Sequence, residues 1–306
     1  MLIQYGVPSN VIDVTQTCMN VFKNDFVIVI PGGDNLRANF LGDPVAGKKK
    51  NIYVTLNDVV HQYDDSKTIF IDMSKNVVYD RKNVPDILLS YDVDKKLSDL
   101  HKKLILKFGT FTDEFPEQRM ATQFLKGHEN ILEIGGNIGR NSLVISSILN
   151  SKNNSNLVVM ESDTEISKQL AENRDVNGLN FHIENAALSK RNLIQKGWTT
   201  IVSNEVLPGY KKVNTITYDQ LKLKYNIKFD TLVLDCEGAF SYILHDMPDI
   251  IENVNLIIME NDYNDISHKE FIDSVLTKNG FKVVYSEAGG WGPCFNNFFE
   301  TWARIV

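Results

Sequence analysis

The stretch from Ile131 to Ser142, Ile-Leu-Glu-Ile-Gly-Gly-Asn-Ile-Gly-Arg-Asn-Ser, constrains this chain more than any other. The short apolar run Ile131 to Ile134 predicts a buried parallel strand. It breaks at Gly135 and Gly136 and resumes as a helix around Gly139, with Leu143, Ile145 and Ile148 facing inward. Glycines in such a turn permit positive φ and close approach of a ligand, and the unpaired N–H groups of the first helical turn are expected to face whatever binds. A dinucleotide fingerprint needs glycine at its first, third and sixth positions; Gly135, Asn137 and Arg140 stand there, so pyrophosphate binding is poorly supported. What remains is Glu-x-Gly-x-x-x-Gly, with Glu133 at the strand end. A carboxylate at that point repels phosphate and attracts an ammonium group.

Behind this stretch, strands and helices alternate regularly. Strands are expected at Leu157 to Met160, Phe181 to Asn185, Thr231 to Leu234 and Asn255 to Met259, with Phe281 to Tyr285 and Phe298 to Ile305 closing as an antiparallel pair. Helices are expected at Thr164 to Val176, Ala239 to Met247 and His268 to Lys278. The pattern predicts an α/β fold, a Rossmann-like, mainly parallel sheet with helices on both faces. Upstream, Leu97, Leu100, Leu104, Ile105 and Phe108 recur at spacings of three and four and predict an amphipathic helix, followed by a short one from Gln118 to Leu125. Residues 1–88 read as a small, mostly β module, 89–124 as a helical linker and lid, and 125–306 as the main domain.

Hydrophobic and charged contents of 43% and 23% are those of a soluble globular protein, and no apolar run approaches the ~20 residues needed to span a bilayer. The N-terminus lacks the segments of a signal peptide, and Cys18, Cys236 and Cys294 form neither a disulfide framework nor a zinc motif, so a cytoplasmic protein is expected. A net charge of -7 without a broad basic segment argues against nucleic acid as a partner. The run Lys48-Lys49-Lys50 reads as a solvated turn.

Open α/β sheets bind ligands beyond the carboxyl ends of their strands. Glu161, after the second strand, is placed to accept both hydroxyls of a ribose, with Ser162 beside it. Asn185 and Ala186, after the third, can meet an adenine edge. Asp235-Cys236-Glu237-Gly238 follows the fourth strand and Glu260-Asn261-Asp262 the fifth. Acids converging on one edge repel one another unless they bind a cation or share protons.

The stretch at Glu133 resembles motif I of class I methyltransferases that use S-adenosylmethionine (AdoMet). Together with Asn185-Ala186-Ala187-Leu188-Ser189, Thr217-Tyr218-Asp219-Gln220-Leu221, Asp235-Cys236-Glu237-Gly238-Ala239 and Asn297-Phe298-Phe299, it resembles the FkbM family of methyltransferases over Leu125 to Val306. That resemblance implies transfer of a methyl group from AdoMet to a hydroxyl of a sugar, nucleotide-sugar or glycan. It implies a cofactor site of Glu117, Glu133, Gly135, Gly136, Asn137, Gly139, Asn141, Ser142, Glu161, Ser162, Asn185, Ala186 and Asp235, with Gln118 a second lid residue. Asp235, Glu237 and Glu260 are the candidate catalytic carboxylates. Asp235, Glu260 and Asn261 look like the magnesium site of catechol O-methyltransferase, which implies Mg²⁺ or Mn²⁺. Two departures, Phe240 and His245, fall where the family commonly has an acidic residue and glycine.

The fragments Tyr5-Gly6 and Gly42-Asp43-Pro44-Val45-Ala46-Gly47-Lys48-Lys49-Lys50 resemble pieces of the rhamnose- or galactose-binding lectin domain, which implies a sugar site at Tyr5, Asp43 and Lys50. Trp291, Phe295 and Trp302 read equally as sugar-stacking residues or as core. The alternative to an enzyme is a non-catalytic carbohydrate-binding protein on a degenerate methyltransferase fold.

Overall fold

The computed structural model describes residues 1–89 and 91–304, the side chain of residue 39 excepted; Ile305 and Val306, where the expected last strand and domain end, lie outside the described residues. The chain divides into two compact units, one of Met1–Lys96 with Val284–Glu287, the other of Leu97–Val283 with Ala288–Val306.

The first unit carries two four-stranded antiparallel sheets. One orders its strands Asn10–Asp13, Leu2–Val7, Asn51–Leu56, Val59–Tyr63; the other Lys23–Asn24, Val27–Ile30, Ile69–Asp72, Val77–Asp80. Two helices not evident in the sequence, Thr15–Val21 and Asp34–Leu41, lie between strands. Their apolar residues are too few for a clear 3.6-residue stripe. The Lys48–Lys50 run is not a solvated turn throughout: Lys50 is only 1% exposed. Its ammonium pairs with Asp34 at 3.0 Å and Asp43 at 2.9 Å and donates to the carbonyls of Lys48 and Val45, while the Tyr5 hydroxyl donates to Asp34 Oδ1 at 2.8 Å. Tyr5, Asp43 and Lys50 therefore do come together: the buried ammonium of Lys50 draws in both Asp34 and Asp43, and Tyr5 shares Asp34. The Lys50 ammonium and the Tyr5 hydroxyl are engaged within this network, while the Asp43 side chain stays 38% exposed.

The main sheet has seven strands, all in the second unit except for the Val284–Glu287 part of the sixth: β1 (Ile131–Ile134), β2 (Leu157–Met160), β3 (His182–Glu184), β4 (Thr231–Leu234), β5 (Leu256–Glu260), β6 (Phe281–Glu287) and β7 (Phe299–Arg304). Their order is β3-β2-β1-β4-β5-β7-β6; β1 to β5 are parallel and β7 runs antiparallel to β5. The second unit's helices include α1 (Phe115–Phe124), α2 (Arg140–Asn150), α3 (Thr164–Val176), α4 (Phe240–Asp246) and α5 (Ile266–Lys278), with a further one at Tyr218–Tyr225. All residues of β1, β2 and β4 are buried, the signature of a parallel sheet covered on both faces. Chain order reverses between β1 and β4, which opens a crevice at their carboxyl ends.

The expected long amphipathic helix is shorter than its stripe. It spans Val93–His101, and Leu104, Ile105 and Phe108 lie beyond it. The chain there becomes a strap held by α3: Asn177 Oδ1 accepts from the Ile105 N–H at 2.8 Å, and Asn173 Oδ1 from the N–H groups of Lys107 and Phe108 at 2.7 and 3.0 Å. Side-chain amides from a distant helix outcompete the local helical pattern. Among the described residues no helix is long and apolar enough to cross a membrane.

Candidate active site

A cavity of about 410 Å³ lies at the crevice, within the ~300–1,000 Å³ typical of small-molecule sites. Gly135, Asn137, Glu161, Asp235 and Glu237 line it, together with the apolar Leu188, Ile243 and Met247.

Gly135 makes the crevice possible. It has φ 91°, and a Cβ there would lie 2.6 Å from the carbonyl carbon of Asp235 and closer still to its oxygen, because β4 passes directly against β1. Any side chain at this position collides with backbone. The glycine turn that precedes the first helical turn is not itself an open N–H cradle. Gly135 and Gly136 both donate to the Met160 carbonyl at 3.1 and 2.9 Å, Asn137 N–H to Glu161 Oε2 at 2.9 Å, Ile138 N–H to Asn137 Oδ1 at 2.8 Å, and Gly139 N–H to the Gly136 carbonyl at 2.8 Å. The tight return of the chain toward β2 turns these donors inward.

Three non-glycine residues around the turn, Glu114, Asn137 and Glu237, hold left-handed backbones with φ of 55°, 45° and 51°. Such strain persists only where neighbours over-determine it, and it gathers at functional sites. Here the neighbour is Arg140, at the start of α2. Its Nη1 donates to Glu114 Oε1 at 2.7 Å, its Nη2 pairs with Asp113 at 3.2 Å, and its Nε donates to the Thr110 carbonyl at 3.0 Å. Asn137 Nδ2 also donates to Glu114 Oε1, at 2.8 Å. The segment before α1 is thereby clamped over the glycine turn. Gln118 serves the same clamp, since its amide donates to the carbonyls of Phe111, Asp113 and Glu114 and its oxygen meets His101 Nε2 at 2.7 Å.

Glu133 is 2% exposed, and its Oε2 has no hydrogen-bond partner among the described residues. Nearby Asn141 Oδ1 and Ser142 Oγ on α2 are likewise buried without one. Burial pushes the Glu133 carboxyl up to about 8. Three orphaned polar atoms along one strand and the helix after it are costly unless something polar binds there.

Glu161 accepts the Asn137 N–H with one oxygen and the Asp163 N–H, at 2.7 Å, with the other; each oxygen keeps a second lone pair on the cavity side of this arrangement. Burial raises its carboxyl to about 7. Asn185 is engaged elsewhere: its amide donates to the carbonyls of Glu161 and Ser162 and accepts from Thr164, knitting the ends of β2 and β3 together. Ala186 lines the cavity, as does Ser162.

Beyond β4 and β5 the acids gather. One oxygen each from Glu117, Asp235 and Glu260 lie within 4.8 Å of one another. Burial raises the carboxyls of Asp235 and Glu260 well above the usual range, followed by the charge of Glu117 at Asp235 and that of Asp235 at Glu260. Asp262 is raised to about 7 by burial and the Glu237 charge, and its Oδ1 accepts the Gly238 N–H at 2.7 Å. Asn261 is fully buried and donates to the Asn297 carbonyl at 2.7 Å and Glu300 at 3.1 Å. The third carboxylate oxygen within reach of Asp235 and Glu260 belongs to Glu117. His245 and His268 pack against Phe271 and Tyr242. Trp302 is core, its indole donating to Glu300, whereas Trp291 and Phe295 are about half exposed.

Two parts of the site escaped the sequence reading. Glu114 and Arg140 lie 26 positions apart, and only the fold joins them. The Leu193–Val202 hairpin, which walls the cavity, did carry a signal in the turn Lys196-Gly197-Trp198 before β-branched Thr199 to Val202.

No protein-family model matches the chain, and no curated protein matches it. Among solved structures it is similar to the ribosomal protein L11 methylase of Lactobacillus delbrueckii subsp. bulgaricus, at 11% identity and TM-score 0.41 over 65% of this chain and 81% of that one. It is also similar to the O-methyltransferase TomG of Streptomyces achromogenes, solved with SAM, at 12% and 0.38 over 70% and 90%. The Bacillus cereus O-methyltransferase solved with SAH gives 13% and 0.36 over 72% and 90%. The strand order and the antiparallel β7 define a Rossmann-like methyltransferase fold, accompanied by small antiparallel sheets near the N-terminus.

Proposed function

We propose that the chain is an AdoMet-dependent O-methyltransferase whose acceptor is a hydroxyl of a sugar, nucleotide-sugar or glycan. The observation that carries the cofactor reading is the buried carboxyl of Glu133, whose Oε2 has no hydrogen-bond partner among the described residues, beside a glycine turn with no spare N–H between residues 135 and 139. Such a site disfavours phosphate and suits a ligand bearing an ammonium group, with Asn141 and Ser142 adding polar atoms. Glu161 supplies lone pairs for a ribose diol, and Leu188, Ile243 and Met247 an apolar slot for a base. The residues therefore fit AdoMet, which when bound supplies an electrophilic methyl group on a sulfonium.

Asp235 and Glu237 line the cavity. A sugar hydroxyl is a weak nucleophile at neutral pH and needs a base or a metal to take or acidify its proton. Asp235 would accept that proton, with Glu237 beside it. Asp235, Glu260 and Glu117 are also the oxygen donors that would hold Mg²⁺ or Mn²⁺ and lower the acidity barrier of the hydroxyl. The clamped segment before α1 keeps water from the glycine turn. The acceptor class rests on the FkbM-like motifs and the Asp235–Asp262 carboxylates.

Calorimetric titration with AdoMet tests the cofactor, and absence of binding refutes the reading. Methyl transfer to a panel of sugars and nucleotide-sugars, run with and without chelator, then separates base from metal. D235N is expected to bind AdoMet and lose transfer by at least about a hundredfold, the scale of general-base catalysis.

A further inference from the structure

The outer wall of the cavity is a segment the sheet does not require. Between β3 and β4 the chain forms a hairpin, Leu193–Lys196 antiparallel to Thr199–Val202, with Lys211–Val213 as a third strand. Gly197, at φ 55°, takes the first central position of the two-residue turn and puts Trp198 at the tip. Register sets Leu193 opposite Val202 and Gln195 opposite Thr200, and these four line the cavity together with Trp198.

The root of the hairpin is fixed. Arg191 Nε and Nη2 donate to Asp246 at 2.6 and 2.8 Å, and its guanidinium lies over the Tyr242 ring at 5.3 Å. Midway, Ser162 Oγ donates to Gln195 Oε1 at 3.0 Å, which ties the hairpin to the loop that follows Glu161. The tip is different. Trp198 is 59% exposed although it lines a cavity, and a Cβ at Gly197 would meet nothing within 4 Å. More than half of this large indole faces solvent at the rim of the cavity, and a planar ligand group bound there would cover it.

We infer that Trp198 is a binding residue, stacking on the planar base of an adenine nucleoside whose ribose is held at Glu161, with the anchored hairpin folding its tip over that base. This deepens the AdoMet reading and rests on it. Leu188, Ile243 and Met247 line the same cavity, so a base bound there meets aliphatic side chains as well as the indole. The indole recognises an aromatic plane rather than a charge, and Arg191, the cation among the cavity-lining residues, is already paired with Asp246.

S-adenosylhomocysteine is the probe. Calorimetry on the full-length protein is expected to show W198A binding about tenfold more weakly than wild type, because loss of base–aromatic stacking is worth about that factor or more, and W198F binding within about threefold. Acrylamide quenching of tryptophan emission gives a second measurement that does not depend on the stability of W198A. Trp302 is buried and Trp291 is half exposed, so ligand-induced protection seen in wild type and absent in W198F belongs to Trp198. Equal affinity in W198A with Trp198 as quenchable bound as free overturns the stacking and leaves the cofactor reading intact. No binding to the wild-type protein overturns both.

Discussion

Replacing Glu133 with Gln should flatten the pH dependence of stability. The Glu133 carboxyl titrates near 8 in the folded protein against about 4.5 unfolded, with burial the main cause. Below about pH 4.5 both states hold the proton and the group has no effect on the balance. As pH rises from there the unfolded chain releases its proton first, so stability declines until the folded carboxyl also ionises near pH 8. A separation of about 3.5 units at 1.36 kcal/mol per unit makes the total decline about 5 kcal/mol, of which some 3 kcal/mol has accrued by pH 7. Glu161 and Asp262 add declines of the same sign, so the wild-type curve alone does not isolate Glu133. The difference between wild type and Glu133→Gln does. Urea unfolding at pH 5, 6, 7 and 8 should show the variant gaining on the wild type steadily by a total of several kcal/mol. A gap that stays constant within about 1 kcal/mol would refute the picture of a buried, neutral carboxyl. The same group should release close to one proton when an ammonium-bearing cofactor binds at pH 7, measurable as a dependence of the calorimetric heat on buffer ionisation.

Two further outcomes follow from the packing. Gly135→Ala forces a Cβ into the Asp235 backbone at a residue with φ 91°, so unfolding free energy should fall by about 4 kcal/mol or more, and cofactor binding should be lost even where the protein remains folded; an unchanged melting temperature would show that β4 yields freely. Lys50→Ala strands Asp34 and Asp43 around a buried site and should cost the first unit about 3–5 kcal/mol; hydrogen exchange localised to residues 1–96 would register it, and uniform protection would speak against an internal role for the network.

Much of the second unit was legible because its physics is local. Ile131–Ile134, Leu157–Met160 and Thr231–Leu234 announce themselves as apolar runs bounded by turn residues, and a strand buried on both faces has no other way to be written. The positions just past those strands, Glu161 and Asp235 among them, follow from the rule that parallel sheets bind at their carboxyl edge. The strap at residues 105–108 and the Tyr5–Asp34–Lys50 network were not legible. Their partners lie 65 or more residues away in the first case and are selected by desolvation of a lysine in the second.

The sequence by itself determined the alternation of elements, the glycine bend and the identity of the acids, since these depend on periodicity and backbone freedom within a few residues. Only the tertiary structure decided that the N–H groups from Gly135 to Gly139 turn inward, that Glu117 joins Asp235 and Glu260, that Arg140 clamps Glu114, and that Trp198 stands at the cavity rim. Each of these is a choice of partner across the fold, set by which polar atoms burial leaves within reach of one another.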